Sequence, residues 1–484
     1  MYYNNLTLLT DLYQITMMQA YFSSGKKDQR VIFDLFFRKN PNNNGYSIAA
    51  GLEQAIEYIK NIKFSESDIK YLKSLNRFSD DFLLYLKDFK FNGNIYAIPE
   101  GTVVFPGEPL VIVEASIIEA QFIETTLLNI INHQSLIATK AARIIWATDN
   151  GDVLEFGIRR AQGPDAAVYG ARAAMIGGCR ATSNVLAGKL FNVPIAGTHA
   201  HSFIMSFPDE LTAFREYAKT FPKASILLVD TYDTLTSGIP NAITVFKEMR
   251  EQGIELTNYG IRLDSGDFAY LSKKARKILD DNGFYDAVIC ASSDLDEHLI
   301  INLKHQGAEI SLWGVGTSLI TSKDCPAFGG VYKLSAHIDK NNECIPKIKV
   351  SDNTEKITNP GFKKIFRLYD KNSQKMKADL ITLYDEEIDQ TKDLTIFHPI
   401  STWKKMTLKA NCFYAKELLV QVFKDGNCVY NSPSVMEIRD YCKEELNTLW
   451  DEFKRITNPH ILPVDLSLKL YNLKKKMLEE IRHN

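Results

Sequence analysis

The sequence predicts an α/β protein: an irregular (β/α) barrel packed with an α+β N-terminal domain and continued by a C-terminal extension. Three observations carry that expectation. Six short apolar runs, VLEF (153–156), VPIA (193–196), ILLV (226–229), YGIRL (259–263), AVICA (287–291) and EISLW (309–313), begin about 25–40 residues apart with helical patterns such as AITVFKEMREQG between them. This is the rhythm of βα units in a parallel sheet closed or nearly closed as a barrel. Upstream, strand-like runs punctuated by Asn-Pro, Pro-Glu-Gly and Pro-Gly-Glu alternate with single amphipathic helices. Downstream, the charged stretch KNNECIPKIKVSDNTEKITNP (340–360) ends the rhythm. The expected domains are 1–116 (α+β), 117–350 (barrel) and 351–484, the last partly rejoining the N-terminal layer.

In chain order, residues 8–22 carry Leu8, Leu9, Leu12, Ile15, Tyr21 and Phe22 at helical spacing, with Asp11 early in the run where the helix dipole favours an acid. VIFDLFFRKNP (31–41) reads as a strand stopped by Asn-Pro, GLEQAIEYIKNI (51–62) as a helix, and IYAIPEGTVVFPGEPLVIVEAS (95–116) as short strands. Residues 117–147 form one long amphipathic pattern leading into the six runs. After them come FRLYD, LITLY and CFYAKELLVQVF as strands, then two helices. Lys474-Lys475-Lys476 reads as the solvated face of the last one.

Composition removes several function classes. Fifty-seven Lys+Arg against 59 Asp+Glu gives a net charge of −2, so there is no bulk basic field for nucleic acid and any anionic ligand must be held by local groups. Seven cysteines without a C-x-x-C pair encode neither a disulfide framework nor a zinc site. The start lacks the pattern of a secretory signal, and no apolar run reaches the roughly 18 residues that a membrane span needs. A cytoplasmic protein without membrane partners is expected.

In a parallel βα architecture the ligand sits beyond the carboxyl ends of the strands, and all six ends are polar here. They supply Gly157-Ile158-Arg159-Arg160; Gly197-Thr198-His199-Ala200-His201; Asp230-Thr231-Tyr232-Asp233; Arg262 with Asp264, Ser265 and Asp267; Ser292-Ser293; and Gly314-Val315-Gly316-Thr317-Ser318. The types suit a phosphorylated substrate. Backbone N–H groups of Gly314–Thr317 with the Thr317 hydroxyl make a phosphate nest, and Ser292-Ser293 a second cradle beside it. Arg159 and Arg262 can grip a carboxylate or phosphate bidentately. Asp230, Asp233, Asp264 and Asp267 suit ribose hydroxyls or a magnesium ion. His199 and His201 alternate along an extended run, so one of the two lies in the site as base or as nucleophile toward phosphorus, and the residues alone do not choose.

These blocks, LLTDLYQITMMQAY, FDLFFRKNP, YSIAAGLEQAI, FPGEPLVIVEA, LEFGIRRAQGPDAA, TSNVLAGKLFNVPIAGTHAHSF, VDTYDTL, IRLDSGD and WGVGTSLITSKDCPAFGGVYKL, resemble the nicotinate phosphoribosyltransferase family of NAD biosynthesis, in order and as far as about residue 335. The resemblance implies an ATP-coupled, ligase-type transfer in which nicotinate and phosphoribosyl pyrophosphate give nicotinate mononucleotide and pyrophosphate. It implies ATP as co-substrate, Mg2+, and a homodimer with shared sites. His201 becomes the transient phosphohistidine, with Asp230 and Asp264 near it and the ribose. Tyr13, from a neighbouring subunit, and Phe156 sandwich the pyridine ring. Arg159, Thr198 and Arg262 lie near nicotinate, and Gly316 and Thr317, with Gly314 and Ser293, at the phosphate. Arg180 departs from the family pattern. Either it argues for the acid over the amide, or it points away in a structural ion pair. The competing expectations are a nicotinamide phosphoribosyltransferase and a barrel enzyme acting on sugar phosphates.

Overall fold

The computed structural model describes residues 5–149, 151–401 and 403–483. One compact unit runs to Leu136 and resumes at Ala327; the other is Ile137–Pro326. Where the sequence suggested limits at 116 and 350, the division falls inside the helix Glu124–Ala147 and just before the strand Gly330–Ile338. That strand pairs antiparallel with Arg30–Phe37, and the pairing draws the following residues into the N-terminal unit.

In Ile137–Pro326, six parallel strands run in the order Ala181–Thr182, Asp152–Glu155, Leu312–Val315, Val288–Ser293, Tyr259–Leu263, Ser225–Leu228. Taken round a ring, this is the chain order, so the sheet is a barrel opened between its second and third strands. VPIA, expected as a full strand, lies in the chain between these two edge strands and contributes a single bridge, Ile195 to Thr182. Pro194 brings no N–H to a ladder, which keeps the pairing this short.

Leu154, Ala181, Ile226, Cys290 and Leu312, with Phe156, Ala196 and Val288 packed against them, form one apolar cluster that fills the barrel interior. Side chains on a strand alternate with period two, and register partners share a face. Counting two residues onward from this plug gives Phe156, Thr198, Gly314 and Ser292. The partner of Cys290 is Arg262, followed two residues later by Asp264. An apolar floor and a polar rim are thus one alternation read at two heights.

Four of the helices between the strands start on side-chain caps. Asn184, Asp209, Asp267 and Asp296 accept from the backbone N–H of Ala187, Thr212, Tyr270 and Leu299, each worth about 1 kcal/mol. Asp233 caps the turn Thr234–Gly238 in the same way. Asp233 and Asp267, considered above for ribose or magnesium, are therefore committed to the backbone. Behind the sheet, Lys140 and Arg143 pair with the fully buried Glu297 at 2.7 and 3.0 Å, and both cations hold its carboxyl below the usual range against the opposing effect of burial.

The other unit holds a seven-stranded antiparallel sheet, ordered Cys344–Pro346, Gly330–Ile338, Arg30–Phe37, Val111–Ser116, Asn94–Ala97, Val420–Lys424, Asn427–Cys428. A second, six-stranded sheet includes Met376–Leu383, Lys363–Asp370 and Phe413–Glu417. C-terminal strands enter both the N-terminal sheet and its core, which includes Val422, Phe423, Leu466 and Leu470 beside Ile32, Leu35 and Ile112. In the last helix, Leu468–His483, Lys475 and Lys476 face solvent and pair with Glu479 and Glu480 one turn on. Lys474 does not share that face: it is 6% exposed.

Candidate functional site

The rim of the barrel carries a connected set of polar groups. Asp264, just past its strand, has Oδ2 at 3.8 Å from His201 Nε2, and its Oδ1 accepts from the Ser292 hydroxyl. His201 Nδ1 lies 3.0 Å from the Thr231 hydroxyl. Asp230 Oδ2 accepts from the Asp264 N–H at 2.8 Å and the Ser265 hydroxyl at 2.7 Å, fixing the turn that presents Asp264. Arg262 Nη1 donates to the Thr198 hydroxyl. Two buried atoms in this set, Asp230 Oδ1 and Arg262 Nε, have no hydrogen-bond partner. An orphan acceptor and an orphan guanidinium donor at one rim are what a site shows when its ligand supplies the missing groups.

Phe156 reaches the same rim from the neighbouring strand. A Cβ on Gly314 would stand 2.8 Å from the Phe156 ring and 3.1 Å from Ser292 Cβ, so the bare glycine makes room for the aromatic. Gly314 is thus inside its strand and buried, a seat for Phe156 rather than part of the loop that follows. Gly316 and Thr317 follow where the chain leaves the sheet, next to Ser293, whose register partner is Val315. Ser293 holds φ at 146°, a backbone conformation that side chains other than glycine rarely adopt. It is exposed, whereas Ser292 is buried and bonded to Asp264. Arg159 is exposed on the short turn Ile158–Arg160. Tyr13 belongs to the other unit, 48% exposed on the helix Leu12–Ser23.

The two histidines separate. His201 is half-buried at the rim. His199, 8% exposed, packs against Phe203, Phe214 and Tyr217. Its Nε2 accepts the Leu228 N–H at 3.3 Å. Successive N–H groups of a strand point to opposite sides, and those of Ser225 and Val229 go toward the Tyr259–Leu263 strand, so the Leu228 N–H faces the open edge. His199 caps it, and the barrel's seam is drawn together by an imidazole where a strand is missing. Burial, with Arg262 and His201 adding to it, lowers the His199 pKa to about 4.

A stability prediction follows. The unfolded chain protonates His199 near its ordinary 6.5 while the folded chain resists until about 4. The stabilisation is complete above 6.5 and is lost as pH falls toward 4, on the order of a few kcal/mol. His199→Leu is expected to flatten that acid limb in urea titrations at stepped pH. At pH 7 the substitution should cost about 1–3 kcal/mol through the uncapped Leu228 N–H.

Three family models describing nicotinate phosphoribosyltransferase match the chain: the N-terminal domain over residues 8–132, the family model over 152–386 and the C-terminal domain over 362–474. The Bacillus subtilis nicotinate phosphoribosyltransferase is 50% identical over 479 residues, covering 99% of this chain and 96% of the relative. The Caenorhabditis elegans nicotinate phosphoribosyltransferase is 37% identical, covering 96% and 92%. The chain belongs to the nicotinate phosphoribosyltransferase family. The crystal structure of human nicotinic acid phosphoribosyltransferase superposes with a TM-score of 0.83 at 29% identity over 97% of this chain and 100% of that one.

Membership of the nicotinate phosphoribosyltransferase family extends past residue 335, where the short blocks end, through the C-terminal domain match. Arg180 takes the structural alternative: it pairs with Asp152 at the amino end of the strands, away from the rim. Sequence reasoning missed Glu155. This fully buried carboxylate accepts from the Gly157 N–H and, at 2.6 Å, the Thr182 hydroxyl, tying the turn after Phe156 to the edge strand. Burial raises its pKa against both hydrogen bonds. An acid inside an apolar strand run was the available signal. The Cys290 thiol, pushed up to about 12 chiefly by burial, is no nucleophile.

Among the described residues no group of three or more His, Cys, Asp or Glu side chains is arranged to hold a metal. The donor set nevertheless fits magnesium as a companion of phosphates, which needs only one or two carboxylates from the protein. Asp264 and the orphan Oδ1 of Asp230 are hard oxygen donors of that kind.

Proposed function

We propose that the chain transfers the phosphoribosyl group of phosphoribosyl pyrophosphate to nicotinate, giving nicotinate mononucleotide and pyrophosphate, with ATP hydrolysis coupled through His201. The observation that supports it best is the rim itself. The guanidinium of Arg262, with Nε buried and unpartnered, stands on one inner face with Phe156, Thr198, Asp264 and Asp230, so a carboxylate-bearing ring and a ribose find partners in one layer. The names of the relatives agree with phosphoribosyl transfer to nicotinate.

In this reading the pyridine nitrogen attacks C1 of the ribose, and the bond to the pyrophosphate oxygen breaks with the electron pair leaving on pyrophosphate. Charge builds on the ribose carbon in the transition state, and the carboxylates of Asp264 and Asp230 would stabilise it. Asp230 and Asp264 would hold Mg2+, which when bound neutralises the departing pyrophosphate. Arg262 orients the nicotinate carboxylate with Thr198, Phe156 supplies one stacking face, and Arg159 adds charge at the pocket mouth. Gly316, Thr317 and Ser293 receive the 5′-phosphate. His201 Nδ1 is engaged by Thr231, which leaves Nε2 to take the γ-phosphoryl group of ATP with loss of ADP; water later returns it as phosphate. The acid is preferred over nicotinamide because of Arg262, since Arg180 faces elsewhere.

Tyr13 completes the sandwich from a second subunit of a homodimer. Tyr13→Ala is expected to raise the nicotinate KM by the equivalent of about 1–3 kcal/mol with kcat little changed. An unchanged KM would leave Tyr13 as packing. A cytoplasmic location is part of this proposal; among the described residues no helix is long and apolar enough to cross a membrane. The reaction is tested by following pyrophosphate release and nucleotide formation with nicotinate or nicotinamide, with and without ATP. Preference for nicotinamide, or no pyrophosphate from either, would overturn it.

A further inference from the structure

Two loops end neighbouring strands of the barrel and then run to the same buried cation. Ser293 closes one strand and is the register partner of Val315, which closes the next; Gly316 and Thr317 follow Val315. From Ser293 the chain soon reaches Glu297, the first residue of the helix Glu297–His305. From Thr317 it passes through the one-turn helix Thr317–Ile320 to Asp324. Lys140 Nζ lies 2.7 Å from Glu297 Oε2 and 2.7 Å from Asp324 Oδ1. Lys140 is 3% exposed and stands on the helix Glu124–Ala147, where Arg143 shares its face and holds Glu297 from the other side at 3.0 Å. All of these residues belong to Ile137–Pro326.

The charges of this cluster balance, two cations against two carboxylates. A lysine paired on both sides is not offering itself to a phosphate; its geometry is that of a brace. Once the strands end, the sheet no longer sets the distance between the two loops, and the only printed ion pairs that join them run through Lys140. The backbone on both sides is under strain. Ser293 holds its φ of 146° with the Leu295 N–H donating to the Ser293 carbonyl at 2.9 Å, and Ser322, just before Asp324, has φ at 43°. Such conformations persist where the surroundings over-determine them, and a buried ion pair anchored on a long helix supplies that constraint to both loops.

We propose that Lys140 is a positioning residue for phosphoribosyl pyrophosphate: by tying Glu297 to Asp324 it fixes the spacing at which Ser293 and the Gly316–Thr317 loop together receive the 5′-phosphate. This rests on the reaction proposed above and adds to it a residue that touches no substrate.

The test is calorimetric titration of the full-length protein with phosphoribosyl pyrophosphate and Mg2+, without nicotinate or ATP, beside steady-state kinetics. Lys140→Met removes the brace but leaves Glu297 with Arg143, and Asp324, its side chain 39% exposed, with water. It is expected to weaken phosphoribosyl pyrophosphate binding and raise its KM about tenfold, with kcat and the nicotinate KM within about twofold. Lys140→Arg, whose guanidinium can span two carboxylates, is expected to restore affinity to within about threefold of wild type. Asp324→Asn cuts the exposed leg alone; it should raise the same KM and carries the test if the methionine variant does not fold. A merely structural lysine would lower kcat through the folded fraction and leave both KM values in place. That pattern, unchanged affinity in the folded variants, an equal rise in the nicotinate KM, or a wild type that binds no phosphoribosyl pyrophosphate would overturn the assignment. A wild type that binds it but releases no pyrophosphate with nicotinate would overturn the proposed reaction instead, and the ratio of affinities would still decide the role of Lys140.

Discussion

His201→Ala is expected to abolish ATP-dependent, acid-labile phosphate incorporation and to remove ATP stimulation of transfer by at least about 10²-fold. His199→Ala is expected to retain both. The two residues have the same chemistry and nearly the same sequence position, and differ in what surrounds them. His199 is buried among aromatic rings, spends Nε2 on a backbone N–H and is held neutral by its surroundings. His201 is half-buried at the rim, with Thr231 on one nitrogen and Asp264 at 3.8 Å from the other. Labelled ATP followed by acid treatment reads this directly, since a phosphoramidate is acid-labile and a phosphoester is not. Label retained in the His201 variant and lost in the His199 variant would move the phosphoryl acceptor into the seam.

The largest stability effect is expected at Arg367, far along the chain from these groups. Its fully buried guanidinium donates to Asp379 at 2.7 and 3.0 Å, Glu445 at 2.8 Å and the Val103 carbonyl at 2.6 Å. Glu108 stands close by, its pKa raised by burial and by Asp379. Arg367→Met leaves two buried carboxylates without their cation and should lower unfolding free energy by about 3–5 kcal/mol, measured by urea denaturation. Adding Asp379→Leu should recover part of the loss, because the unpaired charge rather than the missing arginine carries most of it. A loss below about 1 kcal/mol would show that water reaches the network.

Much of the barrel was legible because its signal is local. Five of the six strands lie in short apolar runs whose polar ends follow at once; the two-residue strand Ala181–Thr182 carries no such signal. The alternation that places Ser292, rather than Ser293, beside Asp264 was also present in AVICASS, and needed only the inward face of Cys290 as a starting point. What the sequence withheld depends on partners distant in the chain. That Asp267 caps a helix while Asp264 faces the rim is decided by a turn of three residues. That VPIA contributes one bridge depends on where the sheet opens. Lys474 is indistinguishable in composition from its two neighbours, and helical phase against a core assembled from both chain ends turns it inward.

The strand Arg30–Phe37 sits between Val111–Ser116 and Gly330–Ile338, and the second of these neighbours lies roughly 290 residues later in the chain. At about 5–20 residues per second a ribosome needs roughly 15–60 s to make that partner. During that interval the amino-terminal sheet has an unpaired edge rich in Val, Ile, Leu and Phe, and the last strand of the intervening barrel, Leu312–Val315, is made only shortly before that partner. The amino-terminal unit is therefore begun first and completed last, because its sheet waits for strands made after the whole of Ile137–Pro326. The nascent amino-terminal strand is then the segment most exposed to wrong pairing, and the one for which a holding chaperone would matter most.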